Sequence, residues 1–127
     1  MKIYTKHAPK VFGPYSQAIK INKLLMISGQ IPINSISKNI PNNISDQTFL
    51  VLNNIKAIIK KSNFSIKNII KTTIFTTCLD KINDINHSYE NFFMQENILI
   101  FPARSCVEVS KLPKNVKIEI EAIAFKK

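Results

Sequence analysis

Two stretches of this chain carry apolar residues at three- and four-residue steps, and each is followed by a run of strand-forming residues. The first begins near Asn43 or Ser45, both able to cap a helix, and brings Phe49, Val51, Leu52, Ile55, Ile58 and Ile59 to one stripe. The second follows Asp80, which is placed to cap it, and aligns Ile82, Ile85, Tyr89, Phe92 and Phe93. Between them, residues 69–78 read as a strand, because Cβ-branched side chains are stiff in a helix and fit a pleated surface. Two further strands are predicted over 103–109 and 116–125, joined by a polar loop at 110–115. Upstream, short apolar runs on either side of Asn22-Lys23 predict a β-hairpin over 18–30. Pro32 and Pro41 then bracket a Ser/Asn-rich surface loop. The order strand, strand, helix, strand, helix, strand, strand, with room for a short extra strand at the start, predicts one α+β domain over residues 1–127. Its helices lie on one face of the sheet, and the segment 69–109 is expected to be a right-handed crossover between parallel strands.

Two helices cover only one sheet face. In the last strand Ile118, Ile120, Ala122 and Ala124 alternate with Lys117, Glu119, Glu121, Ile123 and Phe125. The second set is part apolar and part ionised, which predicts a subunit interface containing a polar site. In the preceding strand Arg104, Cys106 and Glu108 share a face opposite Val107 and Val109, and the charged faces of the two strands are expected to look the same way. Parity does not make these strands neighbours. The crossover would place the Arg104 strand beside 69–78, so Arg104 and Glu119 could meet through another subunit.

Composition narrows the chemistry. With 127 residues, 45% of them hydrophobic, the chain can bury a core, and no run is long and apolar enough to span a membrane. The start of the chain lacks the apolar stretch of a signal peptide, so a cytoplasmic location is expected. Cys78 and Cys106 read as reduced thiols, and with His7 and His87 they lack the spacing of a metal site, so no metal is expected. The net charge of +10 comes from lysine in Ile/Asn/Lys-rich stretches, which A/T-rich codons alone can produce, so it says little about nucleic acid. Arg104, however, is the only arginine among 18 basic residues. Its planar fork binds carboxylate or phosphate through two parallel hydrogen bonds, which makes it either an anion clamp or half of a structural ion pair. The two glycines, Gly13 and Gly29, mark either ordinary turns or places where backbone must come close to another group.

Several segments carry a resemblance from nearly one end of the chain to the other. They are Gly13-Pro14-Tyr15, Ser28-Gly29-Gln30-Ile31-Pro32, Leu52-Asn53-Asn54-Ile55-Lys56-Ala57-Ile58, and Asn86 to Phe93. The most specific are Phe101-Pro102-Ala103-Arg104-Ser105-Cys106-Val107-Glu108-Val109, Leu112-Pro113 and the run from Val116 to Ala124. Together they resemble the reactive intermediate deaminase family, also called YjgF/UK114. The resemblance implies a chorismate-mutase-like α+β fold, a mixed sheet with two helices, assembled as a homotrimer with sites between subunits. It implies cofactor-free hydrolysis of 2-aminoacrylate and related enamines or imines to 2-oxo acids and ammonia, so the partners would be small 2-imino and 2-amino acid intermediates. Carried over by position, Arg104 would hold the substrate carboxylate, and Glu119 would orient water and shuttle its proton. Backbone at Gly29 and Cys106 would touch substrate, with Ser105 beside it, while Tyr15 and Asn86 would shape the pocket.

Three other readings stay open on the sequence. Cys106 could be a nucleophile with His87 as its base. The basic charge, and the ribonuclease or translation-inhibitor activities ascribed to relatives, motivate a nucleic-acid-binding protein, against which stand dispersed lysines with no interleaved aromatics. The third is a trimer that binds a small ligand without turnover.

Overall fold

Asn22 adopts a left-handed backbone (φ 52°), a conformation asparagine tolerates better than most residues, and there the chain reverses between β2 (Ala18–Ile21) and β3 (Leu24–Gln30). In the computed structural model, which describes residues 1–127, a short strand β1 (Lys2–Ile3) pairs with β2. After the proline-bracketed loop, the Asn43 side chain accepts a hydrogen bond from the Asp46 N–H at 2.8 Å and starts α1 (Ile44–Lys61). Strand β4 (Ile69–Thr76), helix α2 (Ile82–Gln95), strand β5 (Ala103–Glu108) and strand β6 (Ile118–Phe125) complete the order.

Two local expectations are corrected. Asp80 does not cap α2: residues Leu79–Lys81 make a tight 3-10 turn, and the helix begins after Lys81 with no side-chain cap, so Asp80 comes too early. The last strand begins at Ile118 rather than Val116, because Lys114 and Asn115 are both left-handed (φ 59° and 56°) and the chain is still turning.

The six strands form one sheet in the order β1-β2-β3-β6-β4-β5. Only β4 and β5 run parallel, as their connection through α2 requires. One face is the core. Leu25, Ile27, Ile74, Ile118, Ile120, Ala122 and Ala124 pack there against Val51, Leu52, Ile55, Ile58 and Ile59 of α1 and Ile85, Phe92 and Phe93 of α2. Each large aliphatic or aromatic side chain buried in this way contributes roughly 1.5–3 kcal/mol of transfer free energy. The opposite face has no helix over it. A cross-strand row Ile19, Met26, Ile123, Lys71 and Ala103 runs along it, with Ile21, Leu24 and Phe125 on one side. Ile21 and Phe125 are 58% and 46% exposed, so a largely apolar sheet face is uncovered within one chain.

Buried polar side chains fix the loops that border this frame. Asn54 Nδ2 donates to the carbonyls of Ile31 and Ile33, and Gln47 Oε1 accepts from the Lys117 N–H just before β6. Gln17 accepts from the Thr5 N–H and donates to the Thr5 and Pro9 carbonyls, fastening the N-terminal segment.

Candidate active site

Glu119 is the second residue of β6, on the uncovered face, paired across the sheet with Phe75. Beside it the register of β3 slips between Ile27 and Gln30, so Ser28 and Gly29 together stand opposite Glu121. Such a bulge bends one strand and re-aims its neighbours. The bulge is held by Ser28, whose hydroxyl donates to the Ser16 carbonyl and whose N–H donates to the Gln17 carbonyl. Gly29 has an ordinary backbone, so its lack of a side chain serves contact and not φ. A Cβ there would overlap Glu119 Oε2 and lie 2.8 Å from its Cδ. The carboxylate therefore rests directly on the bulge. It opens into a cleft of about 470 Å³ lined by Phe12, Tyr15, Gly29, Ile31, Pro113 and Glu121. Tyr15 borders it from a turn in which its hydroxyl accepts from the Phe12 N–H at 3.3 Å. Burial pushes the Glu119 carboxyl above the ordinary glutamate value, and the Glu121 charge pushes it further the same way.

Arg104 is on the edge strand β5, next to Thr72 of β4. Its Nη1 donates to Asn86 Oδ1 on α2 at 2.8 Å, and its guanidinium carbon lies 5.2 Å from the centre of the Tyr89 ring. It has no carboxylate partner, since the one salt bridge in the chain joins Lys56 and Glu96. Within the chain no acid pairs with Arg104: a neutral carbonyl orients the guanidinium and leaves its charge for another anion. A second cleft of about 320 Å³ surrounds it, lined by Asn86, Tyr89, Glu90, Phe101 and Pro102.

Residues 5–126 match the family profile described as Endoribonuclease L-PSP. The chain belongs to this family, also called YjgF/RidA. A RutC family protein of Buchnera aphidicola from Acyrthosiphon pisum is 64% identical over 125 residues, 98% of this chain and 97% of that protein. An Escherichia coli protein named 2-iminobutanoate/2-iminopropanoate deaminase is 43% identical over the same shares of both chains. Among solved structures, Escherichia coli TdcF with bound serine superposes with a TM-score of 0.97 at 42% identity, covering 100% of this chain and 99% of that one.

In this YjgF/RidA chain the residues singled out from sequence fall into two groups. Tyr15, Gly29 and Glu119 meet at one cleft, and Arg104 and Asn86 meet at the other. The expectation that the charged faces of the last two strands look the same way is overturned. Arg104 and Cys106 pair with Thr72 and Ile74, which are buried under the helices, whereas Glu119 pairs with Phe75 on the uncovered face. Ser105 is on the Glu119 side of the sheet, where its hydroxyl accepts from Lys71 Nζ at 3.2 Å. Cys106 packs against the core, and burial pushes its thiol up despite the pull of Arg104, which disfavours a thiolate. His87 is exposed on α2 and makes no hydrogen bond to it, so the geometry gives the Cys106–His87 pair no support as nucleophile and base. No three His, Cys, Asp or Glu side chains come together as metal ligands.

Sequence reading did not place Phe12 or Tyr89 in a site. Phe12 is exposed in a turn with no periodicity to mark it, and Tyr89 was legible only as part of the α2 core stripe. For the YjgF/RidA bulge itself, Gly29→Ala is expected to fold normally, because the overlapping atoms end a flexible side chain. It should push the Glu119 carboxylate aside and lower turnover about tenfold, read from kcat with circular dichroism as the folding check.

Proposed function

We propose that this chain hydrolyses reactive enamine and imine intermediates, 2-aminoacrylate with its tautomer 2-iminopropanoate and 2-iminobutanoate, to 2-oxo acids and ammonia. The sites are shared between subunits of a cytoplasmic homotrimer. The observation that carries the reading is the separation of Arg104 from Glu119 by one sheet: an unpaired anion clamp on one face and a carboxylate with raised affinity for protons on the other. Each opens into its own cleft, and the uncovered apolar face beside Glu119 is the surface a second copy would cover. The 43% identical deaminase of Escherichia coli supports the same assignment.

An imine carbon is already electrophilic, so the protein need only hold the anionic end and aim a water. Arg104, held through one N–H by Asn86, takes the substrate carboxylate. Glu119 accepts a proton from water as the new C–O bond forms, while the imine nitrogen is protonated to an amine. Glu119 hands the water proton to the nitrogen, so the carbinolamine forms with the carboxylate free again. The carboxylate then takes the carbinolamine hydroxyl proton and returns it to the amine as the C=O bond forms and the C–N bond breaks. Ammonia and a 2-oxo acid leave. The raised proton affinity of Glu119 favours this cycle, since the same group must both take and return a proton.

The test uses two variants that each lack one half of the site. Arg104→Lys and Glu119→Gln trimers, made separately, are expected to be nearly inactive on 2-iminobutanoate generated by a dehydratase. Co-expressed at equal levels, they should regain about a quarter of wild-type activity, because random mixing leaves that share of sites with an intact residue from each neighbour. Absence of any recovery in mixed trimers shown to form by mass spectrometry would place both groups in one chain's site and sink the shared-site reading.

A further inference from the structure

We propose that Tyr89 is the positioning residue for Arg104: its ring, anchored through Thr72, sets the plane in which the guanidinium meets a carboxylate. The inference rests on the reading of Arg104 as the substrate clamp and adds a residue that reading does not use.

The argument is a closed circuit of short contacts. Tyr89 is 5% exposed and sits one turn beyond Asn86 on α2, so the two share a helix face. The guanidinium carbon of Arg104 lies 5.2 Å from the ring centre, within cation–π range, while Asn86 Oδ1 takes one N–H at 2.8 Å. The far end of the ring is fixed as well, since the Tyr89 hydroxyl and Thr72 Oγ1 are 2.7 Å apart. Thr72 is the register partner of Arg104 across β4 and β5. One residue therefore fixes both the strand position from which Arg104 departs and the ring against which it stacks. Phe93 backs the ring, with centroids 4.8 Å apart at 47°.

This arrangement suits positioning better than mere packing. A guanidinium has five N–H donors in its plane, and an aromatic face engages none of them. Asn86 uses one donor and Tyr89 only shields a face, so the remaining edge is free for two parallel bonds to a carboxylate. Burial keeps the Tyr89 hydroxyl neutral, so its bond to Thr72 persists across the working pH range.

Because Arg104 is the only arginine, its Nε–H gives a single resonance in a 15N-labelled protein, readable whatever the activity. The experiment places Phe, 3,5-difluorophenylalanine and 3,4,5-trifluorophenylalanine at position 89, which keep the ring's shape while weakening its negative face, with Tyr89→Leu as the ring-free end point. Three readouts are followed: the Arg104 Nε–H shift, KM and kcat for 2-iminobutanoate, and calorimetric Kd for the product 2-oxobutanoate. We expect KM and Kd to rise together in steps, several-fold across the fluorinated series, with kcat changing less and thermal midpoints level. In Tyr89→Leu the Arg104 resonance should lose its ring-current displacement. A flat KM and Kd across the fluorinated set in an active protein would overturn the proposal, even if Tyr89→Leu fails to fold. An Arg104 resonance that shows no ring-current displacement in wild type would overturn it regardless of activity. A wild type that neither turns over the imine nor binds 2-oxobutanoate, yet shows the displaced resonance, would instead remove the deaminase reading and leave the stacked pair standing.

Discussion

Arg104→Lys is expected to lower kcat/KM for 2-iminobutanoate by about a hundredfold or more while leaving fold and net charge unchanged. Lysine keeps the positive charge but not the planar fork. It can approach a carboxylate as a point charge, yet it cannot both donate to Asn86 Oδ1 and present two parallel donors in one plane. Nor does it have a flat face to lie over the Tyr89 ring. The carboxylate is then held loosely, and an error on the order of 1 Å between imine carbon and water is enough for that loss. A role resting on bulk positive charge predicts the reverse, because one lysine for one arginine among 18 basic residues should leave phosphate binding and its salt dependence nearly intact. Deaminase rate and RNA affinity measured on one preparation separate the two.

Glu119→Gln should reduce kcat by roughly 10²–10⁴, the usual worth of a positioned general acid or base, while binding of 2-oxobutanoate changes little. It should also raise the thermal midpoint where the wild-type carboxylate is ionised. Folding lifts the proton affinity of Glu119 above its ordinary value of 4.5, chiefly by desolvation, so between that value and the raised one the folded chain binds more protons than the unfolded chain. The contribution is fully present below 4.5 and is lost as pH rises through the raised value. Above the raised value the ionised carboxylate is therefore a cost that glutamine removes. The acid limb of the wild-type kcat/KM profile should sit above the ordinary glutamate range for the same reason, since the base works only when ionised. Equal turnover in mutant and wild type would remove Glu119 from the reaction.

The parts of this molecule legible in its sequence are those fixed by spacing along one element. Both helical stripes emerged from periodicity: Val51, Leu52, Ile55, Ile58 and Ile59 and Ile85, Tyr89, Phe92 and Phe93 are buried, whereas Phe49 and Ile82, at the edges of the two stripes, are 37% exposed and partly buried respectively. The cap at Asn43 was legible as one of two candidates, because its side chain acts on the N–H three residues on. The Asp80 cap failed because an intervening tight turn leaves no such local mark. What relates one strand to another was beyond reach. Alternation says which residues of β5 share a face, but the pairing of Arg104 with Thr72 decides which face that is. The bulge at Ser28-Gly29 belongs to the same class: the glycine was conspicuous, yet its reason, the Glu119 side chain, is 90 positions away and depends on the register of β3 with β6. Tyr89 was read as core for a related reason, since the same ring that completes the stripe of α2 also turns its other face to Arg104.

The sheet that holds Arg104 and Glu119 apart also sets a kinetic order. In the proposed reaction a single chain carries every group needed but not on one surface, because Glu119 and Arg104 face opposite sides of the sheet with β4 between their strands. For the proposed homotrimer, the rate should climb with the cube of chain concentration where monomers predominate, settling to simple proportionality only once trimers dominate. Catalytic output in such a protein reports how crowded its own copies are, and a progress curve recorded on serial dilution becomes a measurement of assembly.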